Sequence, residues 1–215
     1  MSTVVAIDGP AGAGKSTVAR MVADRLNYAY INTGSLYRAL AYAAMTSGIA
    51  FSDITPQFLA GLTLEFRGAD LYLNGKKLTS ELRMPECARG ASIVSAKPFI
   101  RDFLMPVQRN AAKGQWIVME GRDIGTVVFP DAEKKFFVTA SAEERARRRM
   151  AQSSEVADGA TFESILADII ARDERDMNRE IAPLKQADDA LLVDTTGLTI
   201  DQVVDVIAAY CRAGL

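Results

Sequence analysis

The sequence predicts an α/β fold: a doubly wound parallel sheet core with a small antiparallel β insert and a mobile lid. Three features predict it. Short β-branched apolar runs alternate with helical periodicities along most of the chain. A glycine-rich loop joins the first such run to the first helix. Between Leu62 and Glu81 the pattern changes to period-two alternation around an Asn-Gly pair.

Taken in order, Thr3–Ile7 (TVVAI) is apolar and largely β-branched, as a strand buried on both faces must be. From Lys15 onward Val18, Ala19, Val22 and Leu26 recur at helical spacing, with Arg20, Asp24 and Arg25 turned away. Tyr28–Ile31 reads as a second strand, and Ser35–Ser47 as a helix closed by Gly48 at C′. In LTLEFRGADLYLNGKKLTSE (Leu62–Glu81), Leu64/Phe66 and Leu71/Leu73 alternate, and Asn74-Gly75 marks a hairpin. Phe99–Gly114 reads as a helix kinked or broken at Pro106. Gln115–Glu120 (QWIVME) and Lys135–Ala140 (KFFVTA) are buried strands; Ser141 caps the next helix, with Glu144 completing a capping box. Gln152–Ala160 is small, polar and turn-rich, hence a mobile surface loop. A long helix follows, then a late strand at Ala190–Asp194 and a closing helix at Thr199–Cys211.

The 215 residues suit one domain with small insertions. A net charge of −2 with half the residues apolar argues against disorder, and against a protein held on nucleic acid by its overall charge, while leaving room for a local basic pocket. Cys87 and Cys211 lie far apart with no ligand-like neighbours, so two ordinary thiols in a reducing compartment are expected. The glycine-rich loop begins within the first ten residues, so no signal peptide is expected, and no apolar run reaches spanning length. The expected location is cytoplasmic, with no nucleic-acid and no membrane partner. The chain has no histidine, which removes Ser-His-Asp, Cys-His and histidine-metal chemistry. Catalysis must then use carboxylates, lysine, arginine or a bound metal ion.

IDGPAGAGKST (Ile7–Thr17) contains Gly9, Gly14, Lys15 and Ser16 in the Walker A pattern G-x-x-x-x-G-K-[ST], between a strand and a helix, so the core is of the P-loop kind. The backbone of Gly9, Pro10, Ala11, Gly12, Ala13 and Gly14, continuing through Ser16 and Thr17, curls around an anion with its N–H groups inward, and the helix N-terminus adds partial positive charge. Lys15 reaches the β- and γ-phosphates, and the Ser16 hydroxyl sits on Mg²⁺. The expected ligand is a nucleoside triphosphate.

A Walker A loop does not by itself separate switches, motors and kinases. There is no N-K-x-D motif, and WIVMEGRD only partly imitates an apolar run ending in paired acids. Arginines beside structural punctuation stand out instead: NTGSLYR (Asn32–Arg38), SAKPFIR ending in Arg101, EGRDIGTVVFPD (Glu120–Asp131) and RDERDMNR (Arg172–Arg179). The first and third end strands, where ligands bind in open α/β sheets. The stripe Phe162, Ile165, Leu166, Ile169 runs on into Asp173 and Asp176. Such a face either leaves the body and becomes solvated, or lines a polar site whose charges a phosphate-bearing ligand pairs. Arg145, Arg148 and Arg149 share a helix face. Alone this reads as solvated surface; beside a turn-rich loop in a P-loop protein it reads as a lid.

Together, IDGPAGAGKST, NTGSLYRALA, EGRDIGTVVFPDAEKKFFVTAS, RARRRM and RDERDMNREIAPLKQADDALLVDT resemble the bacterial-type cytidylate kinases, in order and over nearly the whole chain. The resemblance implies one kinase domain over 1–215, with a core of about 1–33, 91–145 and 180–215, a monophosphate-binding subdomain of about 34–90 and a lid of about 146–160. It implies transfer of the ATP γ-phosphoryl group to CMP or dCMP with Mg²⁺, giving ADP and CDP or dCDP, by a monomer. It assigns the CMP phosphate to Thr33, Arg38, Arg122 and Arg179, cytosine to Ser92, Arg101 and Asp123, the sugar to Arg172 and Asp176, and the lid to Arg145, Arg148 and Arg149. Lys15, Arg122, Arg179, Arg148 and Arg149 would serve catalysis. Asn32 stands where the family's strand-end motif usually has Asp.

These residue types suit the reaction. An acceptor phosphate is already ionised, so no general base is needed; repulsion between two anions must be relieved instead, and the arginine fork matches phosphate oxygens. Asp123 can accept from the cytosine N4 amino group and Arg101 can donate to its acceptors, which favours CMP over UMP. Two rival readings are another P-loop small-molecule kinase, acting on UMP, AMP or dTMP, and a nucleotide switch whose turnover no acceptor stimulates.

Overall fold

The computed structural model describes residues 3–151 and 159–213. Most of the turn-rich loop expected at 152–160 lies outside the described residues. The chain divides into two compact units, one formed by Met1–Tyr30 with Gln115–Leu215, the other by Ile31–Gly114.

The first unit is built on a five-stranded sheet of order β2-β6-β1-β7-β8, from β1 (Val4–Asp8), β2 (Ala29–Asn32, its first two residues in this unit), β6 (Ile117–Glu120), β7 (Lys134–Thr139) and β8 (Leu191–Asp194). β1 pairs in parallel with both β6 and β7, and β7 with β8. β1 and β6 are buried along their whole length, which explains the apolar runs that precede their terminal acids. α1 (Lys15–Leu26) and α8 (Ile200–Arg212) cover one face, where Val18, Val22, Val204 and Ile207 pack on Ile7, Val118, Phe136 and Val138. Thr199 and Gln202 form a reciprocal capping box at the start of α8. α6 (Ala142–Ala151) and α7 (Phe162–Met177) pack together through Ala146, Ile165 and Ile169. The box expected at Ser141 is only half made. Ser141 Oγ accepts from the Glu144 N–H at 3.2 Å, but the Ser141 N–H donates to Thr196 Oγ1, and arginines occupy the Glu144 carboxylate.

The second unit surrounds α2 (Gly34–Thr46), a short α3 (Pro56–Ala60), α4 (Pro85–Val94) and α5 (Pro98–Asn110). Its insert is a three-stranded antiparallel meander, β3 (Leu64–Arg67), β4 (Asp70–Leu73) and β5 (Lys76–Lys77). Leu64 faces Leu73 and Phe66 faces Leu71, and Asn74 and Gly75, at φ 49° and 78°, make the tight turn into β5. Ile100 and Leu104 of α5 share a core with Leu36, Leu40, Leu64 and Leu71. Residues 91–114 accordingly group with the insert in the compact unit Ile31–Gly114. The α5 helix runs on through Pro106, so the expected break is absent. Pro106 and Asp102 both lie on its exposed face, so the carbonyl deprived of a donor reaches water. Cys87 and Cys211 are free, buried thiols in α4 and α8. Among the described residues, no helix is long and apolar enough to cross a membrane.

Candidate active site

The loop after β1 is shaped by glycine. Gly9, Gly12 and Gly14 have φ of 144°, 77° and 81°. A Cβ on Gly9 would sit 1.9 Å from the Val138 carbonyl oxygen, so nothing larger fits beside β7. Gly14 turns the chain into α1, whose first residue, Lys15, is buried and donates through Nζ to the Pro10 carbonyl. Burial, then the nearby Arg122 guanidinium, pushes the Lys15 ammonium well below its ordinary range; Glu120 and Asp8 oppose this and Arg172 adds to it. Lys15, the first residue of α1, thus feels the charge of both Arg122 and Arg172, which favours a polyanion at this helix N-terminus.

Ser16 Oγ donates to Glu120 Oε2 at 3.0 Å, and the Tyr30 hydroxyl donates to Glu120 Oε1. Glu120 ends β6, the strand beside β1, in register with Ile7. Hydroxyl and carboxylate oxygens are the ligands Mg²⁺ takes from a protein, and an acid on the neighbouring strand is where P-loop proteins place their second metal-binding side chain. The expected metal residue Ser16 therefore has a partner that sequence reasoning passed over. Its signal was present: four apolar residues ending in an acid, in WIVMEGRD.

Asp8 was also missed. Its two oxygens accept from the N–H groups of Ile124 (2.8 Å) and Gly125 (2.7 Å). Asp123 precedes this wide turn (Ile124–Val128), and its carbonyl accepts from Val127 and Val128. The last residue of β1 thus holds the turn that follows Arg122 and Asp123. Burial pushes the Asp8 carboxyl up to about 6, with the two N–H donors opposing and Asp123 adding.

The acidic continuation of the apolar stripe of α7 is not solvated. Asp173 and Asp176 are 8% and 5% exposed and continue the buried stripe of Ile165 and Ile169. Asp176 Oδ2 accepts from Arg122 Nε at 3.1 Å, and Asp173 Oδ2 lies 2.6 Å from Arg145 Nη2. Arg172 is half-buried beside them. Arg179 lies beyond the helix and donates to the Ala182 carbonyl. The three arginines of α6 separate by environment. Arg145 is buried and fixed, with Nε on the Ala140 carbonyl and Nη1 on the Ala11 carbonyl, which departs from a lid arginine. Arg148 binds Glu144 and both Oγ1 and the carbonyl of Thr195, with Nη1 3.8 Å from a Cβ built on Gly14. Arg149 is half-buried on the same helix.

The second unit carries the remaining expected residues. Thr33 is buried at the start of α2, and Arg38 donates to the Leu82 carbonyl at 3.0 Å. Arg101 is 4% exposed, donates to the Ser95 carbonyl and lies 5.8 Å from the Tyr37 ring centroid. Ser92 is half-buried in α4. The side chain of Asn32 accepts from the Ser35 N–H, a capping bond at the start of α2.

Known proteins resemble this chain in sequence and in fold. The sequence profile of the family described as cytidylate kinase matches residues 5–213. The cytidylate kinase of Thermosipho africanus (strain TCF52B) is 45% identical over 215 residues, covering 98% of this chain and 97% of its own. That of Clostridium botulinum (strain Langeland) is 45% identical over 205 residues, covering 94% of both chains. The solved shikimate kinase from Bacteroides thetaiotaomicron shares the fold, at a TM-score of 0.54 and 12% identity over 99% of both chains. The family profile and these relatives show that the chain is a kinase and belongs to the cytidylate kinase family.

Proposed function

We propose that the protein transfers the γ-phosphoryl group of ATP to CMP and dCMP, giving ADP with CDP or dCDP. The observation that carries this is the ion pair of Arg122 with Asp176 of α7, beside the buried Lys15 of the Walker A loop, which feels the charges of both Arg122 and Arg172. Arg122 and Arg172 come from the two motifs that the family resemblance assigns to the monophosphate, and Lys15 from the motif for the triphosphate. One oxygen of the acceptor phosphate attacks the γ-phosphorus as the bond to the β-γ bridging oxygen breaks, and ADP leaves. Lys15 and the loop N–H groups hold the donor phosphates, while Arg122, with Arg38, Thr33 and Arg179, holds the acceptor phosphate in line. Arg148 and Arg149 add charge neutralisation at the transferring group. Ser16 and Glu120 would hold Mg²⁺, which when bound screens the charge of the β- and γ-phosphates.

Asp123 accepts from the cytosine amino group, with Ser92 and Arg101 on the remaining base edge, and Arg172 and Asp176 face the sugar. Uracil would set an oxygen against Asp123. The same reading gives a cytoplasmic monomer in pyrimidine nucleotide metabolism. Initial rates with CMP, dCMP, UMP, AMP and dTMP at fixed Mg-ATP test it. CMP and dCMP should exceed the others by at least about tenfold in kcat/KM. Preference for another acceptor would reject the substrate assignment, and ATP turnover that no acceptor stimulates would reject transfer altogether.

A further inference from the structure

Arg145 spreads one guanidinium over three segments distant in sequence: the Ala140 carbonyl at the end of β7 (2.9 Å), the Ala11 carbonyl in the phosphate loop (3.1 Å) and Asp173 in α7 (2.6 Å). The first is an anchor. The second acts on the loop itself. The described peptide bonds are all trans, so the Ala11 carbonyl and the Gly12 N–H point in opposite directions. Drawing that carbonyl toward Arg145 aims the Gly12 N–H away from the guanidinium. Gly12 is packed so closely that an added Cβ would lie 3.3 Å from the Arg145 Cβ. The third contact reaches the helix that carries the proposed sugar-binding residues. Asp173 follows Arg172 directly and lies one turn before Asp176, which holds Arg122.

As a stability device the pair is poor. Both groups are buried, and Asp173 Oδ1 has no hydrogen-bond partner among the described residues. Buried ion pairs with unsatisfied oxygens return little net stability. The value of Asp173 lies in where it fastens Arg145.

We infer that the Arg145–Asp173 pair is a positioning link by which α7, once it holds the acceptor nucleotide, sets the phosphate loop for the donor, so that each substrate strengthens binding of the other. This rests on the reading of ATP and CMP as substrates. Coupling of this kind is reciprocal and spans about 5- to 150-fold in affinity.

The test is calorimetric binding of the non-transferring analogue AMP-PNP with Mg²⁺, with and without saturating CMP, in the unaltered protein, Asp173→Asn, Arg145→Lys and the double variant. The unaltered protein should bind AMP-PNP more tightly when CMP is present. Asp173→Asn should remove most of that gain, about tenfold, while leaving CMP affinity in the absence of AMP-PNP unchanged. Arg145→Lys, which cannot span three acceptors, should behave alike, and the double variant should be no worse than either. Arg145→Lys reads the same quantity should Asp173→Asn fail to fold. An equal loss of AMP-PNP affinity with and without CMP would mean a merely structural pair and would overturn the link. So would undiminished coupling in folded variants, or no coupling in the unaltered protein. Failure of the unaltered protein to bind CMP at all would instead reject the substrate reading beneath it.

Discussion

Ser16 and Glu120, 104 positions apart, meet through a 3.0 Å hydrogen bond from the first helix's hydroxyl to the carboxylate that ends the neighbouring strand. Two oxygens of the kind a hard divalent cation prefers are thereby set beside Lys15. Glu120→Gln keeps the shape and the Tyr30 contact but removes the charge. It should raise the Mg²⁺ concentration needed for half-maximal rate and lower kcat/KM for ATP by roughly 10- to 100-fold. A Mg²⁺ titration at fixed ATP checks this; an unchanged midpoint would remove Glu120 from the metal's surroundings.

Gly9 and Gly48 both have positive φ, but only Gly9 is crowded. Gly9→Ala drives a methyl group into the Val138 carbonyl and should cost at least about 3 kcal/mol together with triphosphate binding. Gly48→Ala meets nothing within 4 Å and should cost only about 1–2 kcal/mol for the left-handed backbone. Urea unfolding of the two variants separates close approach from conformation.

Asp8 links pH to both stability and binding. Its carboxyl titrates near 6 in the fold, against an ordinary value of 3.8. Between those values the folded protein keeps a proton that the unfolded chain loses. The stabilisation from this group is therefore complete below pH 3.8 and is lost as pH rises through 6, a contribution of about 3 kcal/mol. Asp8→Asn should flatten stability between those pH values. Below about pH 6 the protonated carboxyl also turns a hydroxyl toward one of the N–H groups of Ile124 and Gly125, so KM for CMP should rise. A KM that is constant from pH 5 to 8 would free Asp8 from holding the Arg122–Asp123 turn.

Asp123 is buried, as a base-reading carboxylate must be if its hydrogen bond is to discriminate. Asp123→Asn presents a donor where uracil has an oxygen, and should narrow the ratio of kcat/KM for CMP over UMP by about 10- to 100-fold. Equal losses on both substrates would show that Asp123 supports the turn without reading the base.

Local signals carried the architecture. The β-branched runs, the glycine loop and Asn74-Gly75 act through neighbours in sequence, and the sheet and meander formed where those patterns stood. The run of Ile165 and Ile169 into Asp173 and Asp176 was equally legible, because helical spacing keeps a face continuous. What escaped depends on distant partners. Arg145, Arg148 and Arg149 share spacing and charge, and it is the carbonyls of Ala11 and Ala140 with the carboxylate of Asp173 that make Arg145 a fixed group. Glu120 and Asp8 look like ordinary strand ends until parallel pairing brings Ser16 and the Ile124–Gly125 turn to them. The break expected at Pro106 did not occur because a helix-breaking residue on a solvent face leaves its lost bond to water.

Phosphorus NMR of the unaltered protein with Mg-ATP and CMP bears most directly on the chemistry. The β-phosphorus of CDP should grow in step with ADP, one for one, with no excess of inorganic phosphate. Release of phosphate from ATP while CMP stays intact would contradict transfer between the two nucleotides.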